Sequence, residues 1–263
     1  MKLCRFELKA EPGQARSGMV YSGKIYETDG SEAVAVHDAE TVRPLAPIPH
    51  APSVRIFRSD LQPGLVAGLD IEDPAYFYGN PGSLLGASQL LNFPEALGEV
   101  GFETYMAAII VSDGYQIGVE EADEIVLAFT MLTMLVGRSA ERTERGIGAL
   151  GRSHDLGAVV GPVLTTPDEM DDAVIGEEFG RKYKLSAVAR VNAVERQRGD
   201  AEDFPFTFAQ AISAASQTTP VRAGDIIALG PITVSDEEVL LDPGDEVQLS
   251  VEKLGMLSLK LAR

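Results

Sequence analysis

The sequence predicts a mostly β protein with a few helices. Three observations carry this: short segments in which apolar and polar residues alternate, Gly-Asp or Asp-Gly turns set between them, and few stretches with helical periodicity. Leu3 to Leu8 alternates, Gly18 to Tyr21 follows, and Gly23-Lys24-Ile25-Tyr26-Glu27 reads as a turn and strand before the Asp29-Gly30 turn. Pro44, Pro47, Pro49 and Pro52 then fall close together, and each removes a backbone donor and fixes φ, so the segment to Ser53 reads as a stiff connector. A boundary there gives a small N-terminal β domain, 1–53, and a core domain, 54–263. Asp70 to Gly101 is rich in Gly, Pro and aromatics without a sustained period, and Thr104 to Val111 reads as a core strand ending in the Ser112-Asp113-Gly114 turn. Acidic residues 120–124 suit a helix's first turn, and Ala122, Ile125, Val126 and Phe129 recur at helical spacing, predicting an amphipathic helix. Phe208 to Ala215 predicts a second. Ala223-Gly224-Asp225 and Pro243-Gly244-Asp245 each launch a strand, and the chain ends in a hairpin pivoting near Gly255.

Composition narrows the function. The 263 residues are 45% apolar and 24% charged, as in a folded globular protein, and 40 acidic against 22 basic residues leave a net charge of -18. That field repels phosphates, which argues against nucleic acid and anionic membranes as partners. The longest apolar stretch, Ile125 to Val136, is too short to span a bilayer, and the N-terminus alternates Lys2, Arg5, Glu7 and Lys9 with apolar residues rather than forming a signal peptide. One cysteine, Cys4, excludes an internal disulfide, and with only three histidines no zinc ribbon or finger is available. A cytoplasmic protein acting on a small molecule is the expectation.

Several motifs dissolve on inspection. Gly146-Ile147-Gly148-Ala149-Leu150-Gly151 spells G-x-G-x-x-G, but the charged Glu141–Arg145 precedes it where a dinucleotide site needs an apolar strand, so a loop is expected. Ser153-His154-Asp155 has the letters of a catalytic triad, yet on an extended chain consecutive side chains point to opposite faces. Asp168 to Asp172 lacks the spacing of a calcium loop and reads as a solvated segment. His37 and His50 read as structural or surface residues.

The order of several pieces resembles fumarylacetoacetate hydrolase-family proteins. These are Lys2-Leu3-Cys4-Arg5-Phe6, the Gly23–Glu27 turn, Gly101-Phe102-Glu103 before an apolar strand, residues 121–126 before Phe129-Thr130, Arg138, Gly151–Asp155 with Gly161-Pro162 after it, Val191-Asn192, and the two Gly-Asp turns ending at Leu254-Gly255. The resemblance covers nearly the whole chain. It implies a mixed β-sandwich roll, a homodimer, and a pocket where a divalent cation chelates a 2-oxo or 1,3-dicarbonyl acid for C–C hydrolysis, decarboxylation, hydration or isomerisation.

The departures from the family pattern are as informative. The family holds its metal with two Glu one residue apart on a strand and an Asp about thirty residues on, whereas here the strand reads Glu103-Thr104-Tyr105 and Met134 stands at the third position. A phenol and a thioether do not suit Mg²⁺ or Mn²⁺. The family's substrate lysine is Arg152, its Gly-Thr-Pro loop survives as Leu229-Gly230-Pro231, Tyr78 stands where a lysine often lies, and Phe57 to Tyr78 contains no lid histidine. The resemblance therefore implies Glu103, Tyr105, Arg152 and Asp155 as catalytic residues and Tyr78, Ser83 and Arg138 as substrate contacts, with no metal. The expected function is metal-free tautomerisation, cyclisation or decarboxylation of an enolisable substrate. In that scheme Arg152 grips an anion, Tyr105 and Tyr78 donate to an enolate, and Glu103, its pKa raised by burial, moves the proton. Two alternatives stand beside it: a Mg- or Mn-dependent hydrolase, decarboxylase or hydratase borrowing Glu99, Glu141 or Glu144, and a non-catalytic small-molecule-binding member.

Overall fold

The computed structural model describes the chain except residues 31, 60–73, 88, 94–97, 148–149 and 263. The strands are β1 (Lys2–Leu8), β2 (Glu11–Tyr21), β3 (Lys24–Asp29), β4 (Glu32–Asp38), β5 (Val42–Pro44), β6 (Val54–Arg58), β7 (Tyr76–Gly79), β8 (Leu84–Gly86), β9 (Leu90–Leu91), β10 (Val100–Ile110), β11 (Val126–Gly137), β12 (Ala158–Thr165), β13 (Val174–Gly176), β14 (Lys182–Tyr183), β15 (Ser186–Val191), β16 (Val194–Asp200), β17 (Ile226–Gly230), β18 (Glu246–Val251) and β19 (Gly255–Leu261). Among the described residues three α-helices join them: α1 (Val119–Ala122), α2 (Arg138–Ile147) and α3 (Phe208–Ser216).

The large sheet runs β4-β3-β2-β1-β12-β11-β10-β17-β6-β7, with β5 beside β1 and β8 beside β12. The smaller sheet, β16-β15-β18-β19-β9, packs over one face of its centre. Between them lie Phe102, Met106, Met131 and Leu135 from the large sheet and Leu249, Val251, Leu257 and Leu259 from the small one, with α3 adding Phe208 and Ile212. On the opposite face Tyr105, Ala107, Ile109, Leu132 and Met134 pack under Ala46 and Ala51 of the proline-rich connector. Period-2 alternation thus divides β10 between two interiors. The proposed boundary at 53/54 falls between β5 and β6, while β1 pairs antiparallel with β12 from Lys2↔Thr165 to Cys4↔Val163, so the sheet itself is continuous. No helix among the described residues is long and apolar enough to cross a membrane.

The mostly β expectation holds, and so do its turns. Gly224 (φ 89°) and Gly244 (φ 95°) sit in the left-handed region. In each turn the following Asp accepts a hydrogen bond from the backbone N three residues back, Arg222 N to Asp225 Oδ2 and Asp242 N to Asp245 Oδ2, both at 2.8 Å. α3 starts with a capping box: Gln210 N donates to Thr207 Oγ1 at 3.2 Å and Thr207 N donates to Gln210 Oε1 at 2.9 Å.

Three expectations are corrected. The helix expected through Phe129 stops after α1 and a 3₁₀ turn, Asp123–Ile125, and Val126 to Gly137 is strand. β11 is covered on both faces, so it shows no alternation and its apolar run mimics helical spacing. Arg138 to Ile147, expected to lead into a loop, is α2, hidden from hydrophobic pattern because its inward face is charged. The acidic stretch at 168–172 is solvated as expected, but it is a 3₁₀ helix, Pro167–Ala173, rather than a loop, with Met170 buried beneath it.

Candidate active site

One buried cluster of opposite charges lies on the connector-side face of the large sheet. Glu103 projects from β10 on the same face as Tyr105, two residues on, and pairs in register with Met134 of β11. β6 runs two strands away beyond β17, and its last residue, Arg58, reaches back across β17. Gly230 of β17, in register with Arg58, leaves room for Tyr105: a Cβ there would lie 2.7 Å from Tyr105 Cδ1 and from Thr104 O. Gly101 plays the same part for Arg138, because a Cβ on Gly101 would meet Arg138 Nε at 2.6 Å. On α2, Glu141 and Arg145 follow Arg138 by three and seven residues and share its face.

The bonds are dense. Arg58 Nη1 donates to Glu103 Oε1 and Oε2 at 3.1 and 3.0 Å, and the Tyr105 hydroxyl also donates to Oε2. Arg138 Nη1 donates to Glu103 Oε1 at 3.1 Å and to Glu141 Oε2 at 2.7 Å, while its Nη2 donates to Phe102 O at 3.1 Å. Arg145 Nε and Nη2 donate to Glu141 Oε1 at 3.0 and 2.7 Å. His154 closes the cluster from a 3₁₀ turn, Arg152–His154, with Nε2 lying 3.7 Å from Glu103 Oε2 and 3.9 Å from Glu141 Oε1. Nε2 is buried and makes no hydrogen bond among the described residues. Phe77 of β7 meets the imidazole edge-on, ring centroids 4.9 Å apart.

This arrangement reverses the electrostatics expected of Glu103. Burial does push its pKa up, but the His154 contact and the Arg58 and Arg138 guanidiniums outweigh burial and hold the carboxyl well below the usual range. Glu103 therefore stays ionised, and a carboxylate so held is a poor proton acceptor. Glu141 is pushed up by burial too, and bonds from Arg138 and Arg145 bring it net downward.

The residues singled out from sequence separate into groups. Glu103, Tyr105 and Arg138 meet in the cluster. Arg152 is exposed beside it on the same turn as His154. Asp155 turns outward and accepts from Asn80 Nδ2 at 2.7 Å, and Ser83 Oγ donates to Asn80 O at 2.9 Å, so these two share an exposed polar group instead. Tyr78 is corrected: it pairs in register with Arg55, on the face of β7 opposite Phe77, and is 58% exposed, so it does not join Tyr105. Ser153 and His154 are corrected as well, since the turn brings their side chains within 2.8 Å where an extended chain would have parted them. The stretch searched for a lid histidine lies mainly outside the described residues. Arg58, Glu141 and His154 complete the cluster; Glu141 has a signal in sequence as one of the acids available to replace the missing ligands, His154 only as part of the Gly151–Asp155 stretch, and Arg58 none.

Whether a divalent cation suits this cluster can be tested on its donors. Ligand atoms of Glu103, Glu141 and His154 all lie within 4.8 Å of one another, a set chemically suited to a metal. Yet all four carboxylate oxygens already accept from a guanidinium or a phenol. Arg58 Nη1 also lies 3.8 Å from Glu141 Oε1, within the same space. Like charges about 4 Å apart repel by about 4 kcal/mol near a protein surface. As arranged, the cluster holds guanidiniums where a cation would bind, and the two do not fit together.

The fold and these residues define a member of one family. The family model for the fumarylacetoacetate (FAA) hydrolase C-terminal region matches residues 65–262, and the chain belongs to that family. It is 26% identical over 192 residues to the oxaloacetate tautomerase YisK of Bacillus subtilis, a match covering 71% of this chain and 60% of that one. It is 25% identical to a 2,4-didehydro-3-deoxy-L-rhamnonate hydrolase of Sphingomonas, covering 97% and 94%. Among solved structures, a 5-carboxymethyl-2-hydroxymuconate delta-isomerase from Mycobacterium smegmatis superposes with a TM-score of 0.79 at 20% identity over 100% of this chain and 99% of that one. A maleylpyruvate hydrolase from Sphingobium, in complex with manganese(II) and pyruvate, does so with a TM-score of 0.75 at 19% identity, covering 100% and 99%. The chain spans about 60% of the tautomerase's length. These relatives are enzymes, in agreement with the expectation from sequence.

Proposed function

We propose that the protein is an enzyme that interconverts the keto and enol forms of a small 2-oxo acid without a bound metal. The observation that carries this reading is the guanidinium-filled Glu103–Glu141 cluster with His154 Nε2 beside it, unbonded among the described residues. The guanidiniums of Arg58, Arg138 and Arg145 gather here, and their N–H groups suit an anionic substrate. In the reaction, His154 Nε2 takes the proton from the carbon next to the ketone. The carbonyl electron pair moves to oxygen, and guanidinium N–H groups stabilise the enolate. The same nitrogen then returns its proton to that oxygen. Glu103, kept anionic, and Tyr105, whose hydroxyl hydrogen goes to Glu103, hold the guanidiniums in place. Arg152, exposed at the edge, attracts the incoming carboxylate. The tautomerase relative supports the reaction class, and a homodimer is the assembly this reading carries over from the family.

A second reading is favoured by the mutual distances of Glu103, Glu141 and His154: a cation bound after the arginines withdraw. One experiment separates the two. Purified protein is analysed for metals, and ketonisation of enol-oxaloacetate is followed by loss of ultraviolet absorbance with and without chelator. Metal-free protein with chelator-resistant turnover, abolished by His154→Asn, is expected. Activity lost to chelator and restored by Mg²⁺ or Mn²⁺ would overturn the first reading in favour of the second.

A further inference from the structure

We infer that Glu144 and Ser153 are positioning residues that pin His154 as its Nδ1–H tautomer, leaving Nε2 as the atom that exchanges protons in the cluster. The inference builds on the reading of His154 as proton carrier. Its structural basis is separate from that reading and concerns the other edge of the imidazole.

Glu144 lies three residues beyond Glu141 on α2, so one helix supplies a carboxylate to each side of the His154 turn. Its Oε2 accepts from the backbone N of Gly151 and of Ser153, both at 3.1 Å, and from Ser153 Oγ at 2.5 Å. An O–H···O distance of 2.5 Å belongs to a hydroxyl donating to a charged carboxylate. Burial acts to raise the Glu144 pKa, but the Ser153 hydroxyl and the backbone N–H groups bring it down, so the carboxylate remains an acceptor only. A serine hydroxyl has one hydrogen, and here Glu144 takes it.

Ser153 Oγ is also 2.8 Å from His154 Nδ1. With its hydrogen already committed, Oγ can only accept there, and Nδ1 must carry the proton. Ser153 is fully buried and His154 is 4% exposed, so bulk water does not substitute for either partner. Phe77 fixes the ring plane from the side. Nδ1 therefore carries its proton whatever the charge on the ring, and Nε2, which faces Glu103 and Glu141, is the nitrogen left to gain or lose one. Without the hydroxyl, the Glu103 and Glu141 carboxylates facing Nε2 favour the proton there, and such a ring has no base to offer.

The chain has three histidines, so a long-range proton–nitrogen spectrum of the full-length, ¹⁵N-histidine-labelled protein is readable, and loss of one set of signals in His154→Gln assigns it. At a pH where the ring is neutral, the expected wild-type pattern is a pyrrole-type Nδ1 and a pyridine-type Nε2. Ser153→Ala should shift the ring towards the Nε2–H form and lower kcat by at least ~10-fold with KM little changed. Ser153→Thr, which keeps the hydroxyl, should restore both the spectrum and kcat. A wild-type ring protonated on Nε2, or a Ser153→Ala ring with unchanged tautomer, overturns the inference. If Ser153→Ala does not fold, the wild-type spectrum still decides. The two ideas fail separately: an inactive protein with the Nδ1–H pattern sinks the functional reading and leaves the positioning intact, while an active protein with the Nε2–H pattern sinks the positioning and His154 as the base but leaves the reaction class standing.

Discussion

β6 carries two buried arginines three residues apart, and alternation sends them to opposite faces of the sheet. Arg58 lies within a network in which each carboxylate oxygen has a donor. Arg55, equally buried, has Nη1 3.8 Å from Asp225 Oδ2, and its Nε and Nη1 make no hydrogen bond among the described residues. Its Nη2 makes long bonds, 3.4 Å to Thr219 Oγ1 and 3.3 Å to Pro220 O, and its guanidinium carbon sits 6.0 Å from the centroids of both Tyr76 and Tyr78. Asp225 Oδ2 is meanwhile engaged by Arg222 N in the turn before β17. One arginine is a member of a charge cluster and the other is a counter-ion to a turn. Burial alone does not distinguish them, whereas the partners' other commitments do.

That contrast predicts unequal losses. Arg58→Met leaves the Glu103 carboxylate buried with one fewer cation and should cost about 3–5 kcal/mol in urea unfolding at neutral pH. Arg55→Met removes a guanidinium that is itself poorly bonded, and Asp225 keeps its backbone donor, so about 1–2 kcal/mol is expected. Equal losses from the two would break the comparison.

Acid sharpens it. Glu103 titrates well below its ordinary value of 4.5 in the folded state, so its contribution is fully present above that value and drains as pH falls towards the folded one. Melting temperatures between pH 7 and pH 3 should fall for the wild type, whereas Glu103→Gln should start lower and decline less steeply below pH 4.5. Parallel curves would mean that Glu103 is not linked to acid stability.

How far the sequence reveals all this depends on how local each signal is. The Gly-Asp turns and the terminal hairpin are encoded within four or five residues and are legible. Glu103 and Tyr105 share a face because they are two apart on a strand, which is also legible. Arg58 joins them only through sheet order, with β17 between β6 and β10, and no spacing along the chain reports that. His154 is not legible because no local signal distinguishes an extended 152–155 segment from the 3₁₀ turn that places neighbouring side chains together. α2 was hidden because charge, rather than apolar surface, faces inward from Arg138, Glu141 and Arg145.

Gly101→Ala tests the hub by geometry without touching a charge. The added Cβ would press on Arg138 Nε at 2.6 Å, and Arg138 is held at its other end by Glu103, Glu141 and Phe102 O. Since Arg138 cannot yield without surrendering those bonds, about 1–3 kcal/mol of destabilisation is expected. Enolisation should decline with it. A neutral effect on both would show that Arg138 has slack.

The smallest expected effect lies at Gly146, in the helix that feeds the hub. Gly146 is the penultimate residue of α2, and a Cβ there would meet nothing within 4 Å. Its φ is not in the left-handed region, so alanine fits the backbone as it stands. Glycine in a helix costs roughly 0.5–1 kcal/mol relative to alanine through the freedom it has when unfolded, with the lower end applying near a terminus. Gly146→Ala should therefore raise the melting temperature by about 1–4 °C. Because α2 turns charge rather than apolar surface inward, it gains little from hydrophobic packing and depends more than α3 on such local terms. The enolisation rate should not change, since residue 146 is exposed and touches none of Arg138, Glu141 or Arg145 through its Cβ. A fall in stability instead would mean that position 146 needs a conformation only glycine offers, and would restore the loop that the G-x-G-x-x-G letters suggested.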